Sequence, residues 1–341
     1  MIENSLMLAM SLSGRELFHS NVWAWLMGQD VFFVRLFFTE ISAQTKCLSV
    51  KREQKGRDIT VWADKRAFVI ENKFKSFPDF EQLVRYKNEL GDKFAAGVLI
   101  GVMKPRWGKM PEGWTFSCYD KILEDIEAAL KKRRLSKLDK TILTEYVRFT
   151  KDLLSKVKEV TRTYKDHFVE RGELASYADA RLDDLFQKVV ANEFANALQT
   201  RIRADTRLSQ NIAGFDLRVS TSFLHGEALV NAYYIKSCRA KNKMVLDRLI
   251  GIELQGGEYR LCAEIKGLEN LDALYKKLAA AGWFRVGDTF GLKNGEREYK
   301  KFGHFIYRAS TESNWSVDNI WVKMRNDLSL AAKVLPAFER M

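Results

Sequence analysis

Between Asp58 and Phe74 the chain reads DITVWADKRAFVIENKF, two apolar runs of period two separated by Asp64-Lys65. A two-residue connection is the tightest that joins antiparallel strands, and it fixes which residue faces which. With Ala63 opposite Arg66, the numbers of paired residues sum to a constant, so Asp58 falls opposite Glu71. Side chains two apart share a sheet face. Lys73 therefore joins the two carboxylates, while Ile59, Val61, Phe68 and Ile70 point the other way. A one-residue slip would scatter all three charged groups, so the turn controls the chemistry.

The flanking sequence supplies the rest of a small α/β unit. Ser13 and Glu16 have capping-box spacing, and Leu17, Phe18, Val22, Trp25 and Leu26 predict an apolar helix face that Gly28 can end. A second helix is expected over Val31 to Ser42, then a strand over Leu48 to Gln54. After the hairpin, Ser76, Pro78 and Asp79 open a helix that runs to Leu90 and stops at Gly91. Ala95 to Met103 predicts a buried strand and Thr115 to Tyr119 a short one. From Asp120 to about Gln210 the pattern is helical, with the basic run Lys131, Lys132, Arg133, Arg134 between two helices. The last third reads as α+β: strands at Asp216 to Ser222 and Ala228 to Ile235, turns at Gly256-Gly257 and Asn294-Gly295, helices at Leu268 to Ala280 and Val317 to Val334.

At 341 residues two domains are the default. The net charge of +12 favours an anionic partner such as nucleic acid, a membrane surface or an acidic protein, with plain solubility as the alternative. Cys47, Cys118, Cys238 and Cys262 are scattered and form no CxxC pair, which argues against a cysteine zinc site and suits a reducing cytoplasm. The start MIENSLMLAMSL has neither the basic residues nor the cleavage site of a signal peptide. The apolar stretch Val22 to Phe38 is broken by Gly28, Gln29, Asp30 and Arg35, so no membrane span is expected.

Two carboxylates at one site repel each other unless a cation sits between them. Lys73 supplies one positive charge, and a divalent ion would supply two more. Hard oxygen ligands with few protein contacts describe magnesium, completed by water and substrate phosphate. Such an ion activates water and stabilises charge on a phosphoryl oxygen, and Lys73 would orient that water or help deprotonate it. The bland alternative is an exposed cross-strand ion pair worth about 0–1 kcal/mol and without function. Gln82 and Tyr86, four apart on the following helix, share one helical face.

With its opening ELFHSNVWAWL, core GRDITVWADKRAFVIENK and following EQLVRY, the sequence resembles the PD-(D/E)XK nuclease superfamily over residues 13 to 120. The resemblance implies a restriction-endonuclease-like α/β fold: a mixed sheet flanked by helices, here followed by helices and a C-terminal α+β domain. It divides the chain into a nuclease core (1–120), a helical extension (121–210) and an α+β part (211–341) of unassigned role. Asp58 and Glu71 would hold Mg2+ or Mn2+, with the Asn72 main-chain carbonyl as third donor. Lys73 would be the catalytic lysine, and Glu16 the acidic residue that completes the metal site in relatives. Gln82 and Tyr86 match the QxxxY element that borders the site and touches substrate. The Pro of the family motif is absent, Gly56-Arg57 preceding Asp58.

Each position has an alternative. Glu16 would serve equally as a helix cap, Gln82 as a solvated residue and Tyr86 as a core-edge aromatic. Arg57 and Arg85 flank the motif as phosphate contacts or as ion pairs. His19 reads as structural or as a neighbour of the site, and Trp23, Trp25 and Trp62 read as core. The expected activity is metal-dependent hydrolysis of phosphodiester bonds in nucleic acid, DNA first, in defence against foreign DNA or in repair. The competing readings are a nuclease fold that binds nucleic acid without cutting and an interaction scaffold. No membrane partner is expected, and homo-oligomerisation stays open.

Overall fold

A computed structural model of the chain describes all residues except 1–5, 12–13, 46–47, 133–134, 170, 179–181, 209, 241–242, 285–297 and 313. Ser13 of the expected capping box, Cys47, the end of the basic run (Arg133, Arg134) and the Asn294-Gly295 turn lie outside the described residues. The chain divides into two compact units, 1–160 with 177–185, and 161–176 with 186–341.

The first unit opens with helices α1 (Leu6–Ser11), α2 (Arg15–Gln29) and α3 (Val31–Arg35), followed by strands β1 (Leu48–Gln54), β2 (Arg57–Ala63) and β3 (Arg66–Lys73). Helix α4 (Phe80–Leu90) leads to β4 (Phe94–Gly101) and β5 (Trp114–Cys118), and α5 (Tyr119–Lys132) and α6 (Lys137–Thr163) come next. The five strands lie in sequence order in one sheet. β1, β2 and β3 are an antiparallel meander, and β4 and β5 are added parallel to β3. The meander is antiparallel because its connections are tight. Asp64 and Lys65 take φ of 48° and 67°, and Lys55-Gly56 turns the preceding hairpin with φ of 53° and 76°. The parallel additions need crossovers, and α4 is the first.

β2 and β3 are buried on both faces, as strands flanked by helices on either side should be. Val69, Leu99 and Trp114 meet Leu83 and Tyr86 of α4 on one face. On the other, Phe68 meets Phe38, and Phe74 stacks on His19 of α2. Tyr146 and Phe149 of α6 close over Phe18 and Trp23 of the same helix.

Two expectations change here. The helix foreseen over Val31 to Ser42 ends at Arg35, and Phe38 beyond it is buried in the core. The buried side of α2 matches the one foreseen only in part: Phe18 and Leu26 are inside as expected, joined by Trp23 and Met27, whereas Leu17 and Trp25 are 42% and 37% exposed. Both line a shallow groove of about 300 Å³ with Met10, Val22 and Ile142. The buried side of α2 also carries the polar His19 and Ser20, which obscured it in the apolar pattern.

The second unit holds most of α7 (Asp183–Ala204), then β6 (Asn211–Ile212), β7 (Phe215–Leu224), β8 (Glu227–Ala240), β9 (Lys243–Gln255), β10 (Glu258–Ile265), α8 (Leu271–Ala280), β11 (Lys300–Phe302), β12 (Phe305–Thr311) and α9 (Val317–Glu339). Its seven strands form one antiparallel sheet, in order β11-β12-β10-β9-β8-β7-β6. One face packs on α7, α8 and α9, where Ile320, Met324, Leu328, Ala331 and Leu335 recur at helical spacing. The other face carries Arg260, which reaches Glu253 at 2.7 Å and Glu258 at 2.6 Å. No helix among the described residues is long and apolar enough to cross a membrane.

Candidate active site at the open end of the central hairpin

The β2–β3 register runs from Ala63↔Arg66 to Ile59↔Ile70 and there stops. Glu71, Asn72 and Lys73 continue in the sheet paired only with Leu99, Ile100 and Gly101 of β4. The β1–β2 ladder also skips Asp58, passing from Arg52↔Ile59 to Gln54↔Arg57, and Glu53 opposite it has a left-handed φ of 49°. The strands thus fork at Asp58. Its carboxylate takes up the loose end, Oδ2 accepting from the Asn72 amide at 2.7 Å. Glu71 lies on the same face of β3 as Lys73, and the two are joined at 2.9 Å.

All three groups are withdrawn from water. Glu71 is 2% exposed, and the Lys73 side chain 12%. Burial is the main cause that lifts Asp58 to about 6; the Asn72 amide and Lys73 oppose it, and Glu16 and Glu53 reinforce it. Burial and then the Asp58 charge lift Glu71 to about 7, against the pull of Lys73. Burial alone would lower Lys73, but the charge and hydrogen bond of Glu71 outweigh it and hold the ammonium above its ordinary value. Glu71 Oε2 is buried without a hydrogen-bond partner. Two carboxylates, one buried and one half-buried, thus share one positive charge, and one carboxylate oxygen is left without a partner. Among the described residues no group of three His, Cys, Asp or Glu side chains gathers to hold a metal. The donors available are two carboxylates and main chain, a set suited to a hard, largely water-coordinated ion.

The other residues singled out from sequence fall around this point. Asn72 is 1% exposed. Its Nδ2 donates to the Glu16 carbonyl (2.9 Å) and Ser20 Oγ (3.1 Å), and its Oδ1 accepts from Tyr119 at 2.6 Å. Glu16 does not cap α2; Gly14 stands at the N-cap, without a side-chain bond. Tyr86 is buried on the face of the sheet that carries Glu71, accepting from Gln82 Nε2 at 2.7 Å and donating to the Gly56 carbonyl. Arg57 is 2% exposed, lies 5.9 Å from the centre of the Tyr86 ring and pairs with Glu89 at 3.1 Å. Arg85 flanks the same ring at 5.4 Å, with its side chain 60% exposed. Of the two arginines, only Arg85 is open to a phosphate from solution. His19 lies in an aromatic cage, its Nδ1 2.8 Å from the Tyr146 hydroxyl.

Sequence reasoning missed Glu53, Ser20, Tyr119 and the ion pair of Lys75 with Asp184. Ser20 is four residues after Glu16 and so shares its helical face, a signal that was available. Tyr119 and Asp184 arrive from distant segments and left no local signal. Set against protein families, curated proteins and solved structures, the chain matches none.

Proposed function

We propose that the forked end of β2 and β3 is the active site of a metal-dependent phosphodiesterase of PD-(D/E)XK type, acting on nucleic acid, with DNA as the first substrate to test. The observation that carries this reading is the pair of carboxylates, half-buried Asp58 and buried Glu71, beside one lysine, with Glu71 Oε2 left unsatisfied. The five-stranded sheet with α2 and α4 on opposite faces agrees with a restriction-endonuclease-like core, and the fork places the charged groups at its open end. The formal charge of +12 favours a polyanionic substrate through counterion release.

Asp58, Glu71 and the Asn72 carbonyl would hold Mg2+ or Mn2+. When bound, such an ion lowers the pKa of a water ligand and neutralises charge on the attacked phosphate. The protein residues divide the remaining work. Lys73, held protonated by Glu71, donates a hydrogen bond to the attacking water or to a phosphate oxygen. Asp58 keeps the Asn72 peptide oriented through its amide. Gln82 and Tyr86 make a rigid wall on the α4 side, and Arg85 supplies a cation at its rim.

The test is cleavage of linear, circular and single-stranded substrates with Mg2+ or Mn2+ and with EDTA. Glu71→Gln and Lys73→Ala are expected to lower cleavage at least about 100-fold while most binding is retained. Variants that cut as fast as the parent would overturn the assignment. Tight binding with no cleavage by the parent under any metal would leave a binding module instead.

A further inference from the structure

The first turn of α2 grips the chain on both sides of Lys73. Glu16 Oε1 accepts from the amides of Lys75 (2.8 Å) and Ser76 (2.5 Å), and Oε2 accepts from the Ser76 hydroxyl (2.9 Å). The Glu16 carbonyl accepts from Asn72 Nδ2 and from the Ser20 hydroxyl, each at 2.9 Å. Ser20 Oγ accepts from Asn72 Nδ2 in turn, and both residues are buried. Residues 72, 75 and 76 are thereby tied to one helical turn, with Lys73 and Phe74 between the ties. Both carboxylate oxygens of Glu16 are occupied by protein donors, in contrast to Glu71, whose Oε2 has none.

We infer that Glu16 is a positioning residue and not a metal ligand. With Ser20 it clamps the segment from Asn72 to Ser76, so that Glu71 and Lys73 are presented at a fixed spacing. Three of the roughly four acceptor positions of its carboxylate are taken by the chain, and turning it toward a cation would strain the amide and hydroxyl bonds that hold the connection after β3. This inference rests on the nuclease reading for the existence of the metal centre; the clamp itself does not.

The experiment uses full-length Glu16→Gln, Glu16→Ala and Ser76→Ala with two readouts: Mn2+ affinity by titration calorimetry, and hydrogen exchange at the Lys75 and Ser76 amides. A clamp predicts exchange at these amides about tenfold faster or more in Glu16→Ala. It predicts a smaller rise in the same direction in Ser76→Ala. It also predicts Mn2+ affinity within about threefold of the parent in Glu16→Gln, since glutamine keeps an oxygen for the amides. A drop in Mn2+ affinity of about tenfold or more in Glu16→Gln, with Ser76→Ala unaffected in both readouts, would make Glu16 a ligand and overturn the proposal. Unchanged exchange in Glu16→Ala would also overturn it. Should Glu16→Ala fail to fold, the other two variants decide. Absence of Mn2+ binding by the parent would sink the nuclease reading alone, because the exchange measurement still judges the clamp.

Discussion

Replacing Glu71 with glutamine is expected to stabilise the protein at alkaline pH and to leave its stability in acid unchanged. Glu71 ionises at about 7 in the folded protein, against an ordinary value of 4.5, because it is buried and faces Asp58. The folded state therefore keeps a proton that the unfolded chain has released across this interval, and stability falls as pH rises from about 4.5 to about 7. Above that window the whole cost is present. At 1.36 kcal/mol per pH unit it amounts to roughly 3 kcal/mol, with the attraction of Lys73 already included. Glutamine has the same shape and no charge, so it removes that cost at pH 8 and changes little at pH 4.5. For a unit of this size the gain corresponds to a Tm about 6–12 °C higher. Calorimetric unfolding of parent and variant in EDTA, at pH 4.5 and pH 8, measures it. A variant no more stable than the parent at pH 8, or stabilised equally at both pH values, would refute the argument.

Mg2+ at ten times its Kd is expected to add about 1.4 kcal/mol, hence about 3–6 °C in Tm, at pH 8. The lift should shrink at pH 5, where protons compete for the same oxygens, and largely vanish in Glu71→Gln; an equal lift in all three cases would mean the ion binds elsewhere. Tyr86→Phe removes the hydroxyl that links Gln82 to the Gly56 carbonyl and should cost about 1 kcal/mol in a urea titration. Gly97→Ala would place a methyl 2.5 Å from the Trp114 ring and should cost about 1–3 kcal/mol, visible as a lower urea midpoint; an unchanged midpoint would contradict the packing of β4 on β5.

The parts legible in sequence were those set by short range. The Asp64-Lys65 turn fixed the β2–β3 register from Ala63↔Arg66 to Ile59↔Ile70, and Glu71 and Lys73 share a face; the foreseen pairing of Asp58 with Glu71 does not form, because the ladder ends one step before it. Asp79 and Gly91 bracketed α4 correctly, since a cap and a terminator act within one turn. What sequence left dark depends on partners far along the chain. The fork at Asp58 arises from an irregular Glu53 on the neighbouring strand. The role of Glu16 depends on amides about sixty residues away. In the second unit, β9 and β10 were announced only by the Gly256-Gly257 turn, and the sheet order of that unit follows from packing that no local pattern reveals.

β1 forms one rim of the five-stranded sheet and turns Lys51, Arg52 and Glu53 toward solvent. A neighbouring molecule approaching that rim would have to desolvate three charges and match a strand bent at a left-handed residue. Growth of the sheet from copy to copy is thereby discouraged. The carboxylates of Asp58 and Glu71, on the next two strands, are in this way kept from burial in an aggregate of copies.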